Sequence, residues 1–201
     1  FALVDKSDNS ITRMYSGNRG ITIGDNQYPR AIFSLWSEAE RNAINIYAVT
    51  IDNSKRKDEK WYTNTNITYS FDGTNATGSY GDATARAHAD TTWTEEDEED
   101  GLGTEGEVKV EGLKTKLIRD VKLEAANELA KTDWYITRKS EKNTAIPSAI
   151  STHRDAVRTK QDSMCTAITN ASDTPALETL YTYTDQEDGT RTRPLGELPT
   201  L

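Results

Sequence analysis

Lys131-Thr132-Asp133-Trp134-Tyr135 interrupts the longest patterned stretch of the chain, Thr104 to Asn170, and its reading decides the fold. Before it, Glu105 to Ala130 carries a helical pattern. Val110, Leu113, Leu117, Val121, Ala125 and Leu129 recur at spacings of three and four and so line one face. Thr104 with Glu107 has the form of a capping box. Glu105, Glu107 and Glu111 precede Lys114, Lys116, Arg119 and Lys122, the charge order that a helix dipole favours. Gly106 and Gly112 work against the first turns, because glycine weakens a helix interior. Beyond the break, and beyond a loop ending Ala145-Ile146-Pro147, a second helix is predicted over Ser148 to Asn170. Ile150, Val157, Met164 and Ile168 form its near-heptad seam, with Arg154 and Gln161 at the intermediate positions. Two long helices joined by a modest connection fold back on each other, so an antiparallel helical hairpin is expected.

Working outward towards the N-terminus, the signals are those of short strands. Phe1-Ala2-Leu3-Val4, Ile11 to Tyr15 and Ile21-Thr22-Ile23 are separated by polar turns and read as a small antiparallel meander. Ser37 and Glu40 form a capping box for a short helix over Glu38 to Asn45, anchored by the apolar knot Ile32, Phe33, Leu35 and Trp36. Ile44 to Ile51 reads as extended, and Trp61 to Phe71 as a strand turning at Asp72-Gly73 into Thr74 to Tyr80. Gly81 to Thr94 reads as a loose connection. The six consecutive acids Glu95 to Asp100, closed by Gly101-Leu102-Gly103, read as a solvated boundary segment. After the hairpin, Pro175 opens a short helix, Ala176 to Tyr181, followed by an extended tail. The expected fold class is therefore α+β: a β-rich part over residues 1–94, a linker over 95–103, a helical hairpin domain over 104–184 and a tail over 185–201.

Composition narrows the function. Of 201 residues only 34% are hydrophobic and the net charge is −9. That balance argues against a nucleic-acid backbone or an anionic membrane surface as partner, since both call for basic protein surface. No apolar run approaches the roughly 20 residues of a membrane span. Cys165, the sole cysteine, rules out an internal disulfide. A soluble chain made in a cytoplasm is expected, with modest cores completed by assembly with partners.

Catalytic signatures are sparse. His153 and Cys165 are twelve positions apart on one predicted helix, roughly 18 Å by helical rise, too far for a nucleophile and its base. His88 stands alone in a polar stretch, and two histidines are too few for a zinc or triad assignment. There is no Gly-x-Ser-x-Gly elbow, phosphate loop or dinucleotide fingerprint. The acidic run lacks the alternating spacing of a calcium loop. No enzymatic activity, cofactor or metal is expected. Trp134 has two readings: a contact residue, because tryptophan is enriched at binding hot spots, or a seal at the helix junction with Asp133 capping the next turn. The second reading is the expected one. Tyr15, Tyr28, Trp61, Tyr62, Tyr69, Tyr80 and Trp93 read as an aromatic β face, either a sugar-binding surface or ordinary cross-strand pairing.

One resemblance supplies a setting. Leu129-x-x-Thr132-Asp133-Trp134-Tyr135, then Arg138, Glu141 and Ile146-Pro147, is similar to the pattern of phage tail assembly chaperone domains. In those, a helix ends at a Thr-Asp-Trp step and a second helix carries an aromatic-Arg pair. Here Ser151-Thr152-His153-Arg154-x-x-Val157-Arg158 places His153 where the aromatic residue sits. Gln27 to Ser37 and Arg193-Pro194-Leu195-Gly196 resemble segments of small tail or virion proteins of marine and cyanobacterial phages. The resemblance implies a structural part of a phage tail, baseplate or fibre attachment, located in the virion after assembly in the host cytoplasm. Its implied partners are other tail or fibre proteins and symmetric copies of itself. A transient tail assembly chaperone and a host-glycan-binding module are the alternatives. The candidate partner-binding residues are Trp36, Asp133, Trp134, Tyr135 and Arg154.

Overall fold

Gly106 and Gly112 settle where the long helix begins. Gly106 takes φ +81°, a left-handed turn conformation that ends any helix passing through it. Glu107 N–H donates to the Thr104 carbonyl and Gly106 N–H to the Trp93 carbonyl, so Thr104 to Glu107 is a turn and the expected capping box is absent. The β-branched alternation of Val108-Lys109-Val110 then forms a strand, antiparallel to Thr91–Thr92. The helix expected from Glu105 starts at Leu113. The capping box that does form lies earlier: Thr94 Oγ1 accepts from the Asp97 N–H at the start of a short helix, Glu95–Glu99, and the Thr94 N–H donates to Asp97 Oδ2. Most of the acidic run is therefore helical, with Glu95 to Glu98 in the first turn at the positive end of the helix dipole.

The structure, a computed structural model, describes residues Phe1–Leu201. It is α+β, as expected. The helices are α1 Glu38–Ala43, α2 Glu95–Glu99, α3 Leu113–Ala130, α4 Asp133–Lys142, α5 Ser148–Asn170 and α6 Thr174–Tyr181. The chain divides into two units, Phe1–Thr84 and Ala85–Leu201, so the division falls ahead of the acidic run. The Ala87 and His88 carbonyls accept from the first N–H groups of α3, and Thr91–Thr92 pairs with Val108–Val110, so both segments belong to the second unit.

In the first unit, Ala2–Asp5 pairs antiparallel with Ser10–Met14 on one side and Ile46–Tyr47 on the other. The expected meander is not continuous, because Ile21–Ile23 pairs separately with Asn26–Tyr28. The extended Ile44 to Ile51 breaks at Ala48. Its second half, Val49–Asp52, runs parallel to Ala76–Ser79, which also pairs antiparallel with Thr68–Phe71 across the Asp72-Gly73 turn. The predicted strand from Trp61 is interrupted, leaving Tyr62–Thr63 and Thr68–Phe71. Two small cores result: Ala2, Val4, Tyr47, Phe71 and Ala76 in one, and Ile21, Ile32, Phe33 and Ile46 in the other. Each large aliphatic side chain so buried contributes about 1.5–3 kcal/mol of transfer free energy. The Ser37–Glu40 box closes α1 as expected, with Glu40 N–H donating to Ser37 Oγ and Ser37 N–H to Glu40 Oε2.

In the second unit α3 and α5 pack as an antiparallel pair. Lys114 Nζ donates to the Thr169 carbonyl at one end, and Arg154 to the Leu129 carbonyl at the other. Leu113, Leu117, Val121 and Ala125 of α3 and Val157, Met164 and Ile168 of α5 are buried, the faces expected from their spacing. The tail is not a loose extension. Thr184–Asp185 pairs with Arg191–Thr192, Leu195 is buried, and Lys160 Nζ of α5 donates to its carbonyl.

One consequence concerns pH. Hydrogen bonds from the Thr94 backbone, the Lys109 ammonium and the Thr94 hydroxyl lower the Asp97 carboxyl from 3.8 to about 2. A carboxyl depressed in the fold stabilises it fully above its unfolded value and loses that contribution as pH falls through the folded one. The amides of Glu95–Glu99 are expected to keep full protection above about pH 4 and to lose it progressively between about pH 4 and pH 2. An NMR titration of the Asp97 carboxyl with its midpoint near 4 would contradict the bonded geometry.

Candidate functional site

The junction of α3, α4 and α5 gathers four of the five candidate residues. A helix ends with carbonyls that lack intrahelical partners. At the end of α3, one of these is the Leu129 carbonyl, which accepts from Thr132 Oγ1 at 3.0 Å and from Arg154 Nη1 at 2.8 Å. The same guanidinium nitrogen lies 2.7 Å from Thr132 Oγ1 and 2.8 Å from Asp133 Oδ1. Arg154 is only 7% exposed and Thr132 2%. A cation from α5 thus sits at the negative end of the α3 dipole and pairs with the first acid of α4, holding three helices at one point.

Beside it, Glu128 is buried among polar partners. Lys131 Nζ donates to Oε2, while His153 Nε2 and the Leu201 N–H each lie 3.3 Å from Oε1. The Lys131 ammonium, foremost among these, holds the Glu128 carboxyl below its usual range. Glu128 carries no signal in the sequence, and Thr132 stands out there only as part of the Thr132-Asp133-Trp134 step. The available signal was Arg154 itself, a charge at an intermediate position of an otherwise apolar seam. Such a residue needs a buried acceptor.

Trp134 does not seal the junction. Thr132 occupies the buried position, and α4 begins immediately at Asp133 with no side-chain cap. With about 100° of rotation per residue, Trp134 turns to the outer face. It is 51% exposed, its ring stacked against Tyr135 with centroids 3.9 Å apart, and the Arg138 guanidinium lies 5.5 Å from its centre. Ile136 is also exposed, and none of the ten residues of α4 is buried. Isolated helices of this length are marginal in water, so α4 depends on the Asp133–Arg154 tether and on its Asn143 cap in the left-handed conformation. With Asp133 matched to Arg154, the remaining charges of α4 are Arg138, Lys139, Glu141 and Lys142. The helix is a basic, aromatic element on an acidic chain.

Trp36 is not part of this constellation. It belongs to the first unit, where it packs half-buried against the Ile32–Phe33 core and makes an edge contact with Tyr28 at 6.0 Å. The seven aromatic residues do not make one β face either. Tyr28 and Tyr69 lie in separate sheets, Trp61 is buried, and Trp93 belongs to the second unit, under Lys109. Cys165 is partly buried on α5 and its thiol is pushed up by that burial, which disfavours the nucleophilic thiolate. No group of three or more His, Cys, Asp or Glu side chains is placed to hold a metal ion, and no helix is long and apolar enough to cross a membrane. No protein-family model, curated protein or solved structure matches the chain.

Proposed function

We propose that this protein is a non-enzymatic component of a bacteriophage tail, baseplate or fibre attachment, and that α4 is the element with which it docks on a neighbouring tail protein. The observation that carries the reading is the exposure of Trp134 and Ile136, with Tyr135 half-buried beside the Trp134 ring, on a helix none of whose residues is buried. Trp134, set beside the Tyr135 ring and the Arg138 guanidinium, can serve as the single aromatic anchor that fills a partner's groove. Arg138, Lys139 and Lys142 suit an acidic rim around that groove. The phage setting comes from the resemblance of the Leu129–Arg158 segment to tail assembly chaperone domains. The same resemblance supports a second reading, a chaperone that binds an unassembled tail protein and leaves before maturation.

The test is mass spectrometry of purified particles together with the Trp134→Ala variant. A structural component is present in fixed stoichiometry, and the variant is expected to fold normally yet be depleted from particles. Loss of a hot-spot tryptophan costs at least about 2 kcal/mol of binding, roughly thirtyfold in affinity. Absence of the wild-type protein from particles, with co-purification alongside an unassembled tail protein, favours the chaperone. Normal incorporation of the variant removes α4 from either role.

A further inference from the structure

Two arginines of the first unit share a cleft that contains no acid. Arg13 lies on the strand Ser10–Met14, and Arg19 in the turn Ser16 to Gly20. Together with Met14, Tyr15, Ser16, Gly17 and Ile21 they line a recess of about 140 Å³, and a second, broader recess of about 290 Å³ shares both arginines and adds Gly20 and Thr22. Neither lining contains an Asp or Glu, although the chain carries 33 acids against 24 Lys and Arg. Neither guanidinium is in an ion pair with a carboxylate. Both sit on well-held backbone. Arg13 stacks 5.6 Å over the Tyr15 ring. The turn bearing Arg19 closes at Gly20, where a side chain would come within 2.8 Å of the Tyr28 carbonyl, so this backbone lies directly against its neighbour.

We propose that this cleft binds one oxyanion group, a phosphate or a carboxylate carried by a small ligand. Two like charges lining one recess repel each other, and an anion between them turns that repulsion into attraction. Guanidinium forks match the geometry of phosphate and carboxylate oxygens, forming paired charge-assisted hydrogen bonds. The recess is smaller than the roughly 300–1,000 Å³ of sites that enclose a whole ligand. It therefore takes the charged group and leaves the remainder of the ligand in the broader part of the cleft. This site is independent of α4 and lies wholly within the first unit.

The test is an NMR titration of the full chain with sodium phosphate and, separately, sodium acetate, each against sodium chloride at matched ionic strength. The side-chain Nε–H resonances of Arg13 and Arg19 and the amides of Tyr15 to Gly20 are expected to shift saturably with one or both oxyanions. A larger response to phosphate assigns the site to phosphate groups, and a larger response to acetate to carboxylates. Arg13→Gln and Arg19→Gln should each weaken binding about tenfold, as loss of one charge-assisted interaction does. The remaining spectrum reports that each variant is folded. Shifts that chloride reproduces, that spread over unrelated surface, or that persist in both variants overturn the proposal.

Discussion

Arg154→Ala is expected to destabilise the helical unit by about 3 kcal/mol, because it removes a buried guanidinium whose charge-assisted hydrogen bonds go to the Leu129 carbonyl and the buried Thr132 hydroxyl. The Leu129 carbonyl and the Thr132 hydroxyl would both lose the guanidinium, and the chain would lose the tether that starts α4 at Asp133. The effect is directional. Hydrogen exchange should rise first over Asp133–Lys142, whose ten residues bury nothing else, and only then over α3 and α5. Asp133→Asn provides the control. Asp133 is mostly solvent-exposed, so its loss should cost a fraction of the Arg154 effect while still loosening α4. Equal stability of Arg154→Ala and wild type in urea denaturation would show that the guanidinium does not hold the junction. The same junction positions α4, so under the proposed docking role Arg154→Ala should also weaken partner binding while leaving Trp134 in place.

How far the fold was legible depended on how local each determinant is. Ser37 and Glu40 are three residues apart, and the box they announce forms. Thr104 and Glu107 show the same pattern and it fails, because Gly106 admits a left-handed turn and Val108 and Val110 find a strand partner in Thr91–Thr92. Thr94 with Asp97 forms a box with the shorter acid inside a charge run that composition marks as solvated. Both apolar helix faces were readable from spacing, since burial along α3 and α5 follows the 3.6-residue period. The parallel pairing of Val49–Asp52 with Ala76–Ser79 had no local signal at all. At the site, Asp133 and Arg154 were recognisable as unusual, whereas their bond depends on the α3–α5 packing that brings them together. Trp134 was misplaced because the sequence reads as a break and a loop between the two long helices, whereas Asp133–Lys142 forms a helix of its own. Starting α4 one residue earlier or later would have turned the indole toward a different face.

Gly112→Ala carries an equally large expected loss, about 3 kcal/mol, and it isolates space from backbone conformation. Gly112 has φ −76°, which any residue adopts, so no conformational freedom is needed there. What excludes a side chain is the segment Ala87–Asp90, since a Cβ would stand 2.3 Å from the Ala89 carbonyl carbon and oxygen. Those are backbone atoms and cannot rotate away. The segment also caps α3, whose own N-cap residue has no side chain to do so. Asp90 Oδ1 accepts from the Gly112 N–H at 2.6 Å, Asp90 Oδ2 from Thr115 Oγ1, and the Ala87 and His88 carbonyls from the N–H groups of Leu113 and Lys114. Moving the segment to admit a methyl group breaks these bonds together. Gly106, at the other end of the same strand, is the opposite case: its φ is +81° and a Cβ would meet nothing. Gly106→Ala should therefore cost only about 1 kcal/mol of backbone strain. Urea denaturation of the two variants side by side measures the difference. A Gly112→Ala loss no larger than that of Gly106→Ala would mean that Ala87–Asp90 does not lie against the start of α3.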